Sequence, residues 1–263
     1  MLKDFSTKSG RISCWINPHD FGARGQSLVL IPGSGSNSSV WSRQYAKLHG
    51  RFNIAAVNLP GHGRSRGPGA ASVFDYVLCL ENILGALELE KPVLVGHSLG
   101  AAIALLFAAT CPEALSGVVS IGGGLKMPVN PMILEGLSAN PSGTKELIAK
   151  FSIAPANRPK MLPAIQKSLD QVAADVLLGD LTACSRLDLR GRLGAIRVPI
   201  LAVCGAEDKM TPVASSQDLV ANAADAELLV VENAGHMAMI EEPAIVNKAI
   251  CAFAAKLIKE TPS

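Results

Sequence analysis

The segment Gly96-His97-Ser98-Leu99-Gly100 has the Gly-x-Ser-x-Gly spacing that can expose a nucleophilic serine. The apolar run Val93-Leu94-Val95 precedes it, and an Ala- and Leu-rich stretch, Leu99–Ala109, follows it. A strand that turns this sharply into a helix strains the backbone of the serine, and only small residues two positions to either side let the chain pass so closely. The pattern predicts that Ser98 is a nucleophile whose hydroxyl projects above a sheet.

A serine hydroxyl needs a general base, and His236 is the histidine best placed to act as one. It lies in Asn233-Ala234-Gly235-His236-Met237, directly after the last apolar run of the chain. Its position gives the chain order nucleophile, acid, histidine that accompanies this kind of serine turn. His97 shares the turn with Ser98, so its side chain must diverge from the serine. The other histidines lie in a Gly-flanked loop, a turn and a helix end (His62, His19 and His49).

The acid that orients the histidine is expected after an earlier strand. Gly205-Ala206-Glu207-Asp208-Lys209 follows the apolar run that ends at Cys204. Asp208 is the predicted acid because the acid of such a loop typically stands three residues past the glycine, and Glu207 is the alternative. The loop after Ile121, residues 122–126, contains no acid. A carboxylate at Asp208 would keep the imidazole in the required tautomer and stabilise the imidazolium as it forms.

A tetrahedral oxyanion is stabilised by backbone N–H groups that converge on one point. The residue after the nucleophile, Leu99, supplies one such group. The loop Pro32-Gly33-Ser34-Gly35, which follows the first buried run, is expected to supply the other from Ser34. The simpler interpretation of this loop is an ordinary β-turn.

The elements that must position these residues alternate along the chain. Near-continuous apolar runs, each followed by a helical stretch, indicate a parallel sheet covered on both faces, preceded by an antiparallel opening at Arg11–Ile16. Residues 126–186 interrupt the alternation with short helical pieces such as Met132–Leu137 and Ile165–Leu178. We predict an α/β core of residues 1–125 and 187–263 with a helical cap, residues 126–186, inserted over the strand ends. The alternative is one long crossover connection whose helices do not form a cap over the strand ends. The predicted runs are residues 28–31, 53–57, 93–95, 118–121, 200–204 and 228–231, and the predicted core helices are residues 40–48, 71–87, 99–109, 212–221 and 243–258.

Taken together, these motifs resemble those of cap-bearing α/β-hydrolases over essentially the whole chain. The matching pieces are the loop 32–35 with Trp41, Leu59-Pro60-Gly61-His62-Gly63-Arg64-Ser65, the serine pentapeptide, Gly205 to Asp208, and Gly235-His236. The resemblance implies a Ser-Asp-His triad, an eight-stranded mostly parallel sheet, a helical lid and no cofactor. Related dehalogenases and epoxide hydrolases carry aspartate as the nucleophile, so Ser98 argues against both activities.

The chain departs from the pattern of the family at two positions. The family usually has His-Gly where this chain has Pro32-Gly33. Proline has no N–H, but the expected oxyanion donor lies two residues later, so the oxyanion hole can survive. The family often has aspartate where this chain has Asn58, ahead of Leu59-Pro60-Gly61. We expect that change to affect loop packing more than chemistry.

Composition excludes several other classes of function. A net charge of +2 without a basic stripe argues against a nucleic-acid partner, and no apolar run is long enough to predict a membrane span. The first residues lack the apolar region of a secretory signal, so we expect a cytoplasmic protein. The six cysteines are scattered without metal-ligand spacing and are expected to be reduced, small apolar residues; neither a metal nor a thiol nucleophile is predicted.

The predicted reaction is acyl transfer from a small-molecule ester or thioester to water through an acyl-enzyme. Apolar residues of the cap indicate a largely apolar pocket, although the same residues could form the cap's own core: Met127, Met132, Ile133, Leu134, Leu137 and Met161. Two alternatives stay open. The same triad could hydrolyse a carbon–carbon bond of a ring-fission product or open a lactone, or the chain could be a ligand-binding receptor without turnover.

Overall fold

The computed structural model describes residues 1–7, 10–18, 21–22 and 24–259, and these form one eight-stranded sheet. The order across the sheet is β1-β2-β4-β3-β5-β6-β7-β8, with β1 and β2 antiparallel to their neighbours and the remaining strands parallel. His19 lies outside the described residues. The strands are β1 (Leu2–Thr7), β2 (Gly10–Ile16), β3 (Ser27–Ile31), β4 (Asn53–Val57), β5 (Val93–His97), β6 (Gly117–Ile121), β7 (Ile200–Gly205) and β8 (Ala226–Val231).

Helices cover both faces of the sheet, so the inner parallel strands are apolar along their whole length. Val29 and Ile31 of β3 pack on one face with α2, α3 and α8, and Leu28 and Leu30 pack on the other with α1 and α10. The eight-stranded, mostly parallel sheet with helices on both faces that the sequence predicts is confirmed. The helices are α1 (Ser42–Leu48), α2 (Val73–Ala86), α3 (Leu99–Thr110), α4 (Pro131–Ala139), α5 (Pro141–Ser152), α6 (Arg158–Asp170), α7 (Ala174–Ser185), α8 (Val213–Asn222), α9 (Ala238–Glu241) and α10 (Pro243–Lys259).

Helices α4 to α7 lie between β6 and β7 and pack around an apolar cluster that includes Leu137, Ile148 and Leu177. Lys126 and Asp188, on either side of this segment, form an isolated antiparallel bridge, and their side chains make an ion pair of 3.2 Å. The chain therefore leaves the core and returns to it at neighbouring points. We call residues 126–186 the cap segment; its bounds as a separate domain stay a prediction.

The helical piece predicted at Ile165–Leu178 is wrong as a single element, because α6 ends at Asp170 and α7 begins at Ala174. Lys145, a buried residue of α5, donates to the carbonyl oxygen of Val172 at 2.5 Å. The ammonium group thus satisfies a carbonyl in the break between the helices. Apolar residues continue at helical spacing across the break (Ile165, Leu169, Val172 and Val176), which is why the periodicity alone did not show it. None of the helices in the described residues is long and apolar enough to cross a membrane.

Candidate active site

Ser98 lies at the turn between β5 and α3 with a left-handed backbone, at φ 52° and ψ −115°. Glycine is required on both sides of this turn, because neighbouring backbone atoms fill the space that a side chain would need. A Cβ atom on Gly96 would lie 2.1 Å from the carbonyl oxygen of Gly100, and one on Gly100 would lie 2.2 Å from that of Ile31. The Ser98 side chain makes no hydrogen bond to the start of α3, so the hydroxyl is not used as a helix cap. The strained turn that the pentapeptide predicts is present.

Asp208 and His236 meet at the carboxyl ends of β7 and β8. Nδ1 of His236 lies 2.8 Å from Oδ2 of Asp208, and both side chains are buried. The other ring nitrogen, Nε2, is buried and has no hydrogen-bond partner within the part of the chain that the structure describes. With the Nδ1 proton donated to Asp208, Nε2 is left as the basic nitrogen. Glu207, the alternative acid, is exposed.

The Asp208 carboxylate is held in its ionised form. Burial alone would raise the pKa of Asp208, but the charge of His236 and the hydrogen bonds from His236, Thr211 and Met210 outweigh burial and hold the pKa below its usual value. Oδ1 accepts from the backbone N–H groups of Met210 at 2.8 Å and Thr211 at 2.9 Å. An ionised acid beside Nδ1 stabilises the imidazolium that forms when Nε2 takes a proton.

Thr211 joins the acid to the loop after β6 and was not singled out from the sequence. Its hydroxyl lies 2.9 Å from Oδ2 of Asp208 and 2.9 Å from the carbonyl oxygen of Gly122. Gly122 has φ +58°, and a Cβ atom there would come within 3.0 Å of the His236 ring. The acid-free loop is therefore the surface against which the imidazole rests. The Asp-x-x-Thr spacing, typical of a side-chain-capped turn, is the signal that could have identified Thr211.

His97 contributes to the position of His236 from within the serine turn. As expected, its ring diverges from Ser98, and Nε2 lies 3.0 Å from the backbone carbonyl oxygen of His236. Burial, followed by the charge of His236, lowers the pKa of His97 to about 3, so the ring is neutral at neutral pH. His97 therefore acts as a neutral donor that holds the backbone of the histidine loop. No sequence signal identified this role.

The backbone N–H groups of Ser34 and Leu99 are both available as donors. Leu99 is the first residue of α3, so its N–H has no partner within the helix. In the loop after β3, Ser36 donates to the carbonyl oxygen of Gly33 at 3.1 Å, and no described residue accepts a hydrogen bond from the N–H of Ser34. The loop is thus a turn, as the simpler interpretation has it, and the turn leaves the Ser34 donor unused.

Asn58, where the family often has aspartate, is a buried packing residue of the loop after β4. Its side-chain oxygen accepts from the backbone N–H of Ser38, and its amide group donates to the hydroxyl of Ser13, both at 2.6 Å. These bonds join the loop after β4 to β2 and to the short 3-10 helix that precedes α1. Among the described residues, no three His, Cys, Asp or Glu side chains are arranged to hold a metal ion.

Two neighbouring cavities, of about 320 and 450 Å³, are each lined by Ser98 and His236. The smaller has a hydroxyl-rich wall that includes Ser34, Ser36 and Ser39, opposite apolar residues of α5, α6 and α7. The larger is mainly apolar and includes Met127, Met132 and Ile133, three of the cap residues predicted to line a pocket. The remaining predicted residues pack inside the cap cluster (Leu134 and Leu137) or against the core (Met161).

Comparison with known proteins agrees with this architecture. Residues 28–249 match the model of the alpha/beta hydrolase family. The chain is 29% identical over 248 residues to a pimeloyl-[acyl-carrier protein] methyl ester esterase of Pectobacterium carotovorum subsp. carotovorum, which covers 89% of this chain and 96% of that protein.

Two further similarities cover nearly the whole chain. It is 28% identical over 262 residues to a 2-hydroxy-6-oxononadienedioate/2-hydroxy-6-oxononatrienedioate hydrolase of Paraburkholderia phymatum, with 90% of each chain covered. The solved structure of a thermophilic esterase has a TM-score of 0.85 and 30% identity, with 98% of this chain and 99% of that chain covered. By its fold and by the extent of these matches, the chain belongs to the alpha/beta hydrolase family.

Proposed function

We propose that this protein is a serine hydrolase that cleaves a carboxylic ester or thioester of a small, largely apolar substrate through an acyl-enzyme. The observation that carries the proposal is the contact between Asp208 and His236 at the wall of the two cavities that also expose the strained Ser98. A nucleophile, a base and an orienting acid at one cavity are the parts that acyl transfer to water needs.

The reaction would proceed in two halves. Nε2 of His236 takes the Ser98 proton as Oγ bonds to the substrate carbonyl carbon, and the N–H groups of Ser34 and Leu99 stabilise the oxyanion. The carbonyl re-forms, the bond to the leaving oxygen or sulfur breaks, and His236 returns the proton to the leaving group. Water then attacks the acyl-enzyme with the same base, releasing the acid and restoring Ser98. The two cavities would hold the acyl and leaving portions on either side of Ser98.

Labelling with a fluorophosphonate probe tests the nucleophile. We expect wild-type protein to be labelled and Ser98→Ala to be unlabelled and without esterase activity. Ser116→Ala is a matched control, because Ser116 is half-buried and donates to the Lys91 carbonyl oxygen at the other end of the strands. Wild-type protein that stays unlabelled at neutral pH would refute the proposal. Binding of an ester without hydrolysis would refute it as well, because the protein would then act as a receptor.

Hydrolysis of a carbon–carbon bond is the second candidate, because the relative from Paraburkholderia is named for a dienedioate that would be cleaved in this way. The same triad could serve, with the proton delivered to carbon instead of oxygen. A panel of short and long acyl esters, thioesters, lactones and a ring-fission dienone separates the possibilities. We expect the highest kcat/KM for an ester or thioester; a dienone preferred by tenfold or more would reassign the reaction.

A further inference from the structure

Asp180 is a completely buried carboxylate of α7 that the proposed mechanism does not use. It belongs to the cap segment, but its partners lie in the core. Oδ2 accepts from the backbone N–H of Gly35 at 2.8 Å and lies 2.9 Å from Nε2 of His62, while Oδ1 accepts from the hydroxyl of Tyr76 at 2.5 Å. Burying a carboxyl group costs free energy, and well-placed hydrogen-bond partners are needed to offset that cost.

The bond to Gly35 bears directly on the proposed oxyanion hole. Gly35 follows Ser34, so its N–H belongs to the peptide plane on the C-terminal side of Ser34. The plane on the N-terminal side, which carries the Ser34 N–H, is held by the bond from Ser36 to the Gly33 carbonyl oxygen. Both peptide planes that flank Ser34 are therefore fixed, one from within the loop and one by Asp180 of α7.

His62 holds this carboxyl group in place from the core. Its Nδ1 lies 3.0 Å from the Pro60 carbonyl oxygen and its Nε2 faces Asp180, so both ring nitrogens face acceptors and an imidazolium satisfies both. Burial lowers the pKa of His62, but the hydrogen bond and charge of Asp180, together with the Pro60 carbonyl, outweigh burial and leave it above its usual value.

The surrounding packing leaves little room for α7 to shift. A Cβ atom on Gly35 would lie 2.8 Å from Leu169 and 2.9 Å from Leu177, and one on Gly179 would lie 2.9 Å from the Ala70 carbonyl oxygen. The loop 32–35, which we call the oxyanion loop, therefore packs directly against α6 and α7. Tyr76, the partner of Oδ1, accepts in turn from the N–H of Ala70 at 2.9 Å.

We propose that Asp180 is a positioning residue for the oxyanion hole: from the cap segment, it holds the Ser34–Gly35 peptide so that the Ser34 N–H faces the reacting carbonyl. Oxyanion stabilisation then depends on α7 being seated against the core. This inference rests on the proposed function, because it assigns a role to Asp180 only if Ser98 attacks a carbonyl.

Two substitutions of Asp180 test it. Asp180→Asn keeps the shape and one acceptor oxygen but replaces the other oxygen by an amide NH₂, which cannot accept a hydrogen bond, so we expect kcat to fall about tenfold. Asp180→Ala leaves the Gly35 N–H without an acceptor, so we expect a fall of about 100-fold, near the cost of losing one oxyanion donor. KM should stay within about twofold. The affinity for an alkylboronic acid, whose serine adduct places an oxygen in the oxyanion hole, should weaken by factors similar to those in kcat. Asp175→Asn, an exposed carboxylate of the same helix, is the matched control and should change neither quantity.

The outcomes separate this inference from the proposed function. Thermal unfolding identifies a variant that fails to fold. If Asp180→Ala fails to fold, the kinetics and boronate affinity of Asp180→Asn alone test the positioning role. A folded Asp180→Asn with unchanged kcat and boronate affinity overturns the positioning role while the triad stands. A raised KM with unchanged kcat overturns it as well, since it indicates a role in substrate binding. If the wild-type protein neither reacts with a fluorophosphonate nor hydrolyses esters, the proposed function itself is refuted.

Discussion

The two sides of Ser98 are held by different parts of the chain. On the histidine side, His236 is contacted by core residues: Asp208 at Nδ1, Thr211 beside the same nitrogen, and His97 at the backbone carbonyl. On the oxyanion side, the loop beside Ser98 receives its carboxylate partner from Asp180, a residue of the cap segment. The proposed base is therefore oriented by the core, whereas the loop 32–35, which would supply an oxyanion donor, depends on a helix that also lines the smaller cavity.

This difference indicates which substitutions should affect which step. The cap segment supplies Leu177 and Leu181 to the smaller cavity. It also supplies Asp180, three residues after Leu177 and one before Leu181, to the loop after β3. A change in α7 can thus alter substrate fit and oxyanion stabilisation together. A change in Asp208 should alter the proposed base and leave the cavities as they are, because Asp208 lines neither of them.

The largest effect is expected on the histidine side, from Asp208→Asn. An amide cannot hold His236 in the tautomer that leaves Nε2 free, and it does not stabilise the imidazolium, so kcat should fall by about 10⁴-fold with the fold intact. Steady-state kinetics on the best ester measures the loss. Glu207→Gln is the matched control, because Glu207 is the exposed neighbour of the acid, and its activity should match that of wild type. A comparable loss in Glu207→Gln would move the acid to that position.

The next effect concerns stability in acid and follows from His97. Burial, followed by the charge of His236, lowers the pKa of this histidine from 6.5 to about 3, so the unfolded chain binds a proton that the folded chain does not. The contribution of His97 to the free energy of unfolding is therefore complete above pH 6.5. It falls with pH between 6.5 and 3, by up to roughly 1 kcal/mol per pH unit.

Urea unfolding of wild type and His97→Asn at pH 7.5, 6 and 5 measures this contribution. The variant has no titrating group at this position, so the difference in stability between the two proteins should narrow as the pH falls. His62 is present in both proteins, so its own titration cancels in the comparison. Parallel pH profiles for the two proteins would show that His97 is not held neutral by the fold.

Much of this architecture could be predicted because it is encoded locally. The runs of apolar residues identify the parallel strands, and the strand that ends at His97 meets the helix that begins at Leu99 as the pentapeptide predicts. The contact between Asp208 and His236 could be predicted for the same reason, since the carboxyl ends of parallel strands share one edge of the sheet. These inferences need only chain order and strand polarity.

The contacts that hold the site could not be predicted, because each depends on residues far apart in the chain. Asp180 is one of several carboxylates in the cap segment, and it contacts Gly35, 145 residues away. His97 donates to a carbonyl 139 residues away. Helix periodicity indicates which face of α7 is buried, but not that this face packs on the loop after β3. Such pairings require the arrangement of the cap segment on the core.

The smallest effect is expected from Glu241, the buried carboxylate that reaches the cap segment from the core. Its Oε1 accepts from the N–H of Gly235 at 2.8 Å, and its Oε2 accepts from the N–H of Ala154 and the amide of Asn157, both at 2.9 Å. It thus resembles Asp180, because it also connects a loop of the proposed site to the cap segment. It differs because the loop that it holds is also fixed by Asp208 and His97.

Glu241→Gln should therefore cost stability more than catalysis. The amide keeps one acceptor for the N–H groups, so we expect the free energy of unfolding to fall by about 1–2 kcal/mol and kcat by less than threefold. Urea unfolding and kcat on the same preparation measure both, and Glu242→Gln, the partly exposed neighbour, is the control. A loss of kcat equal to that of Asp180→Asn would contradict the comparison, because the base would then depend on the cap segment as strongly as the oxyanion loop does.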